Sequence, residues 1–200
     1  MNLNEKLYQA VWIAHSLFER GKTSGTTANI SFLDDGVVWI SRSGSCFGML
    51  KAEDFVPVSL SGGHTGSGNN KPSKELPLHL ALYSSCDETQ AVIHAHAPYS
   101  TLWSCLPHGN SRDVLPDHTP YLKMKLGNVV SVPYAPPGSE ELFALMRSRV
   151  GCERGYLLAN HGPIVAGKAL MNAFEAIEEL EQSAQIAWCA YAAGIHLSPI

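Results

Sequence analysis

The order of elements predicts an α/β fold, one domain with a mainly antiparallel sheet flanked by helices. Three observations lead there. Apolar residues recur at helical spacing at both ends of the chain, and short β-rich runs fill the stretch between them. Two of those runs meet at a hairpin signal, and two more meet at a tight break near residue 161. Two hundred residues and a 45% hydrophobic content suit one such domain over residues 1–200.

Leu7, Ala10, Val11, Ala14, Leu17 and Phe18 mark the first helix, with Gly21 as its stop. "TANISFLDDGVVWIS" reads as two strands around Asp34-Asp35-Gly36. "RSGSCFGML" is a Ser/Gly loop leading to a strand near Phe55 to Leu60. "SGGHTGSGNNKPSK" is a long turn-rich loop, and "ELPLHLALYSSC" is helical, with Pro77 tolerable only in its first turn. "AVIHAHAPYS" is a strand that Pro98 ends. "YLKMKLGN" is a short helix or turn, followed by a strand around Val129 to Val132.

Ser139 caps the helix "SEELFALMRSRV". "GYLLANHGPIVAG" gives two short strands hinged at Asn160-His161-Gly162. The last helix, about Ala169 to Ala193, lines up Phe174, Ile177, Leu180, Ala184, Trp188 and Tyr191. Glu175, Glu178, Glu179 and Glu181 fall largely on its solvated face.

Composition narrows the function. A formal charge of −4 with only 14 Lys and Arg argues against a nucleic-acid partner. No apolar run reaches transmembrane length, and the N-terminus lacks the basic region and cleavage site of a signal peptide. Five scattered cysteines without a C-x-x-C pair read as reduced thiols of a cytoplasmic protein, mostly small core residues.

His94 and His96 carry the first chemical signal. Residues two apart on a strand share a face, so both imidazoles leave the sheet together. The pair alone leaves two readings open: a metal site, or a half-buried strand whose polar face carries histidine. His161, at a bend before Gly162-Pro163, offers a third nitrogen. Three nitrogens and an open position mark a catalytic metal site. His79 reads as packed within its helix, while His15, His64, His108, His118 and His196 suggest no partner.

Glu75 opens a helix, where acids commonly serve the helix dipole. Beside a metal it becomes a fourth ligand that substrate displaces, then an acid/base. Asn29 in "GTTAN", Ser43 and Gly44 in "RSGS", and Ser73 and Lys74 in "PSK" offer hydroxyls, turn N–H groups and an amine to a phosphate. Ser/Gly clusters of this kind are also ordinary turns.

In this order, "GTTANIS", "SRSG", "PSKE", "HAHA", "VPYAPPGS" and "NHG" resemble the zinc-dependent class II aldolases of the fuculose-phosphate type, over nearly the whole chain. The resemblance implies a three-layer α/β/α domain with a central, mostly antiparallel sheet. It also implies a homotetramer with active sites at subunit interfaces. Position by position, His94, His96 and His161 match the zinc histidines, and Glu75 the ligating carboxylate that works as acid/base. Asn29, Ser43, Gly44 and Ser73 match the phosphate site. Tyr121 matches a proton-donating tyrosine that reaches a neighbouring subunit's site.

Within the superfamily, "SGSCFG", "KPSKE", "LHLALY", "SCL", "TPYLKMKLGN" and "LLANHGP" look like the 3-oxo-tetronate 4-phosphate decarboxylases. The chain departs from the aldolases at Lys74, at Ala28 and at Ser41-Arg42. The implied activity is release of CO2 from a phosphorylated sugar acid, through a zinc-stabilised enediolate, to give dihydroxyacetone phosphate. Zn²⁺ is the implied metal, and Mn²⁺ or Co²⁺ also suits an N3O ligand set. An aldolase or 4-epimerase would use the same enediolate. The fold also occurs as a non-catalytic, adducin-like scaffold, which has no need of a metal triad.

Overall fold

The computed structural model describes residues 1–63 and 70–198; His64 and residues 65–69 of the turn-rich loop lie outside the described residues. The helices are α1 (Leu3–Glu19), α2 (Leu76–Ser85), α3 (Pro98–Ser104), α4 (Pro120–Lys125), α5 (Glu140–Arg149) and α6 (Leu170–Ala193). The strands are β1 (Asn29–Asp34), β2 (Val37–Ser41), β3 (Phe55–Ser59), β4 (Ala91–His94), β5 (Val129–Val132), β6 (Gly155–Leu158) and β7 (Gly162–Gly167).

They form one seven-stranded sheet in the order β3-β2-β1-β4-β7-β6-β5. Every pairing is antiparallel except β5 with β6. That exception follows from connectivity: α5 crosses over between the two strands, and a crossover returns the chain in the same direction.

Side-chain alternation divides the core into two layers. Ile30, Phe32, Ile93, Val129, Leu157 and Val165 pack with α1, α4 and α6. Val38, Val92, Val130, Tyr156 and Ile164 pack with α2 and α5. Helices on both faces make the expected α/β/α sandwich. They also explain why the central strands read as continuous apolar runs rather than alternating ones.

The local signals behave as their chemistry dictates. Asp35 and Gly36 take φ of 46° and 77°, the pair of left-handed residues that a two-residue hairpin turn requires. The Ser139 hydroxyl accepts from the Leu142 N–H. Asn2 and Glu5 form a reciprocal capping box on α1.

Four expectations need correction. The strand that opens at Ala91 ends at His94 rather than at Pro98, and Pro98 instead starts α3, a helix the sequence reading lacks. Glu181 is not solvated: it is 1% exposed, and its carboxylate accepts from the Tyr99 and Ser100 N–H groups at 3.0 and 2.8 Å. It satisfies the free donors at the start of α3. Tyr191, expected on the packed side of α6, is 62% exposed, with its ring edge-on to Trp103. The five cysteines are free thiols, yet none is a core residue.

Candidate metal centre

The site forms at the end of β4, where α2 begins and the β6–β7 turn folds over. His94 is the last residue of β4, on the α2 side of the sheet. His96 lies just beyond the ladder. His161 sits in the β6–β7 turn, between Asn160 at φ 55° and Gly162 at φ 146°.

Gly162 is required for more than its conformation. A Cβ there would lie 2.8 Å from the Ala95 carbonyl oxygen and 3.4 Å from the His96 Cα. Its absence lets the two segments touch and brings His161 to His96. Asparagine tolerates the left-handed region better than other side chains, which suits Asn160.

The three imidazoles converge. One ligand nitrogen from each lies within 4.8 Å of the others. Their ring centroids are 4.8 to 5.2 Å apart, with the planes steeply crossed. His94 and His161 are buried while His96 is half-exposed, so the cluster opens on the His96 side.

Glu75 completes the group. It stands at the N-cap of α2 but makes no capping bond with its side chain. The carboxylate turns away from the helix, taking an N–H from the Asn29 amide at 2.8 Å. Its two oxygens lie 3.4 Å from His94 Nε2 and 3.3 Å from His161 Nε2. Service to the helix dipole therefore does not account for this acid.

The hydrogen bond behind His94 tests whether a cation fits. Its Nδ1 lies 2.8 Å from the Pro163 carbonyl oxygen, which can only accept, so Nδ1 carries the proton. Nε2 is then a bare lone pair, buried without a hydrogen-bond partner, and it faces a carboxylate oxygen. Two acceptors in contact repel unless positive charge stands between them. A divalent metal satisfies both, and the donor set of three imidazoles and one carboxylate suits zinc.

Electrostatics agree. Burial pushes the Glu75 carboxyl up, but the facing His94, His161 and Asn29 outweigh it and hold the group well below the usual carboxylate range. Burial, with His94 and His161 nearby, lowers His96 to about 4. Burial likewise lowers His94. A carboxylate and neutral imidazoles are the ligand-competent forms.

The phosphate candidates gather on adjoining chain. Asn29 is the register partner of His94 across β1 and β4. Ser73 N–H donates to Ser41 O, and Ser43 N–H donates to Lys71 O, so the end of β2 and the loop after it are stitched to the segment that leads into α2. Ser43 and Gly44 are exposed there, Gly44 at φ 75°, while Ser73 is buried with its hydroxyl 3.3 Å from the Glu75 N–H. The Ser43 N–H is spent on Lys71, while its hydroxyl has no hydrogen bond among the described residues. Arg42 turns away to pair with Asp54 at 2.6 Å, anchoring the loop.

Lys74 is exposed, and its stem passes over Gly138, where a Cβ would meet Lys74 Cδ at 3.6 Å. Tyr121 stands 57% exposed at the start of α4, and no described hydrogen bond links it to the four clustered residues.

Residues that the sequence reading passed over support this site. His79, expected as simple packing, donates from Nε2 to Asn29 Oδ1 at 2.5 Å and meets Ser31 Oγ through Nδ1 at 2.7 Å. Ser31 in turn meets the Tyr83 hydroxyl at 2.8 Å. The available signal was spacing: Glu75, His79 and Tyr83 recur every four residues, one stripe of a helix.

The fold and the cluster together define an α/β/α protein with a candidate three-histidine, one-carboxylate centre. Comparison with known proteins narrows this. The pattern of the Class II Aldolase and Adducin N-terminal domain family matches residues 9–188, and the chain belongs to that family. A 3-oxo-tetronate 4-phosphate decarboxylase of Pectobacterium atrosepticum is 40% identical over 179 residues, 89% of this chain and 81% of the relative. An L-fuculose phosphate aldolase of Methanococcus maripaludis is 33% identical over 180 residues, 90% of this chain and 94% of the relative. The crystal structure of YgbL from Escherichia coli superposes with a TM-score of 0.88 at 35% identity, covering 94% of this chain and 90% of that one.

Proposed function

We propose that this chain is a divalent-metal-dependent carboxy-lyase that converts a 3-oxo-tetronate 4-phosphate to dihydroxyacetone phosphate and CO2, with a cytoplasmic location as part of the same reading. The observation that carries the metal site is the bare Nε2 of His94 facing the Glu75 carboxylate at 3.4 Å. Decarboxylation is favoured over aldol cleavage by the higher identity to the decarboxylase, 40% against 33% for the fuculose phosphate aldolase.

In this reading His94, His96, His161 and Glu75 hold zinc, with Mn²⁺ or Co²⁺ as possible substitutes. A cation bound there would act as a Lewis acid toward the negative charge left when CO2 departs. The remaining work falls to the chain. Asn29, Ser43, Gly44 and Ser73 grip the phosphate, and that remote binding energy aligns the scissile bond. Lys74, at the exposed edge of the same loop, assists at the phosphate; held against the carboxylate instead, it would oppose departure as neutral CO2.

Loss of CO2 leaves an electron pair that must take up one proton at the carbon. Glu75 delivers it, being the one carboxylate that meets the imidazoles among the described ion pairs. Held ionised at rest, the carboxylate takes that proton from water and then passes it to the carbon, returning to its charged form. Tyr121 assists from a neighbouring subunit of a homotetramer. Its exposure on α4, beside the still more exposed Met124, supports a role outside its own chain.

Purified protein offered 3-oxo-tetronate 4-phosphates, pentulose phosphates and deoxy-hexulose phosphates in parallel tests this reading. Formation of CO2 and dihydroxyacetone phosphate is expected. Turnover of the sugar phosphates alone would assign the aldolase or epimerase reaction instead. Metal analysis of the same sample addresses the scaffold alternative, for which the retained ligand set has no use.

A further inference from the structure

A one-way chain of hydrogen bonds runs through the core to Glu75, and its direction follows from chemistry alone. The Glu75 carboxylate only accepts, so Asn29 must present its NH2 to it, at 2.8 Å. Asn29 Oδ1 is then left to accept, and His79 Nε2, at 2.5 Å, must carry the proton. Burial lowers His79 to about 3, so the ring is neutral and its Nδ1 accepts from the Ser31 hydroxyl at 2.7 Å. Ser31 Oγ accepts in turn from the Tyr83 hydroxyl at 2.8 Å. Every donor points toward the carboxylate, and such chains polarise in one direction.

Two matched ladders build it. Asn29 and Ser31 are two apart on one face of β1, a spacing of about 6.7 Å. Glu75, His79 and Tyr83 are four apart on α2, a spacing of about 6 Å. The near-equal pitches let helix and strand groups alternate as rungs. His79 is fully buried, in a layer otherwise built from Leu78, Leu82, Val92 and Ile164. A polar group so placed is costly unless each of its atoms is engaged.

We infer that His79 is a positioning residue: it locks the Asn29 amide in the orientation that offers an N–H to Glu75, while Ser31 and Tyr83 lock the imidazole tautomer. This rests on the reading of Glu75 as metal ligand and proton carrier. Turning the Asn29 amide over would set its oxygen against the carboxylate and its NH2 against the His79 N–H. With His79 in place that flip loses two hydrogen bonds and creates two repulsions. Without it, nothing on that side selects the amide orientation.

Cobalt-loaded protein tests this through visible absorption, which reports the ligand field without any substrate, alongside kcat and KM. In His79→Leu, the cobalt spectrum is expected to move toward that of Glu75→Gln, and kcat to fall about 10–100-fold, the usual cost of losing a group behind a metal ligand. In His79→Gln, a side-chain N–H reaches the Asn29 oxygen from the place of Nε2, and most of both losses is recovered. Tyr83→Phe, which removes one hydroxyl and keeps the core shape, gives a smaller loss of kcat in the same direction.

A wild-type spectrum and kcat in His79→Leu overturn the inference. So do equal losses in the Leu and Gln variants with unchanged cobalt spectra, the mark of a merely structural histidine. If Glu75→Gln itself leaves the cobalt spectrum unchanged, the carboxylate is not a ligand, and the reading beneath the inference fails with it.

Discussion

Asn29 sits opposite His94 in the β1–β4 ladder, and its amide holds the Glu75 carboxylate that the His94 imidazole faces. One strand pair thus sets an imidazole and the clamp on an acid side by side, both on the α2 face of the sheet. Because the two strands are antiparallel and in register, neither group can shift without the other. The ladder fixes Asn29 beside His94, and Glu75 is tied to that pair by its side-chain bond to the Asn29 amide.

Glu75→Gln keeps the shape of the side chain and removes its charge. Three histidines remain, so the variant is expected to fold and to keep most of its zinc. Turnover should fall by about 10²–10⁴, the usual contribution of a positioned acid/base. Metal content and kcat measured on one preparation check this; wild-type rates would remove Glu75 from the mechanism.

His161→Ala should lose metal and activity together. With only His94 and His96 left as nitrogens, the site falls below the three protein ligands of a catalytic zinc centre. Elemental analysis after gel filtration is the measurement, and stoichiometric zinc in the variant would contradict the assignment.

Glu181→Ala should destabilise the fold without touching the ligands. It strips the acceptor from two backbone N–H groups and from the Ser100 hydroxyl, 2.7 Å away. Bonds to a charged group contribute about 1.5–3 kcal/mol each, and because such losses are not additive a total of about 3 kcal/mol is expected in urea unfolding. Glu181→Gln keeps one acceptor oxygen and should lose less. Equal stability of all three proteins would show that α3 needs no cap from α6.

Stability of metal-stripped protein should fall as pH drops from 6.5 toward 3. Burial lowers His79 from 6.5 to about 3, so within that window the unfolded chain binds a proton that the folded ring refuses. Above 6.5 both states are neutral at this residue and the dependence vanishes. Urea midpoints across pH should therefore slope less steeply in His79→Gln than in wild type over that window. Parallel curves would mean that His79 is not buried neutral.

The fold was partly legible in the sequence and partly not. Periodicity placed α1, α5 and α6, and turn chemistry placed the β1–β2 hairpin, because each depends on residues within one element. α3 was missed because a seven-residue helix that opens on a proline carries too little pattern to outweigh a strand reading. The missing term was Glu181, which caps α3 from eighty residues away in the chain. Its burial was equally invisible, since a glutamate in an acidic run looks the same whether solvent or two backbone N–H groups receive it.

By itself the sequence determined the candidate ligands, through three histidines, an acid and the family motifs around them, and it determined the α/β class, through spacing. Only the tertiary structure decided that Glu75 turns from its helix toward Asn29, that Gly162 lets the β6–β7 turn touch the His96 segment, and that His79 donates rather than merely packs. Those outcomes depend on which group meets which across the sheet. Such meetings are fixed by strand order and register, which spacing along one segment does not encode.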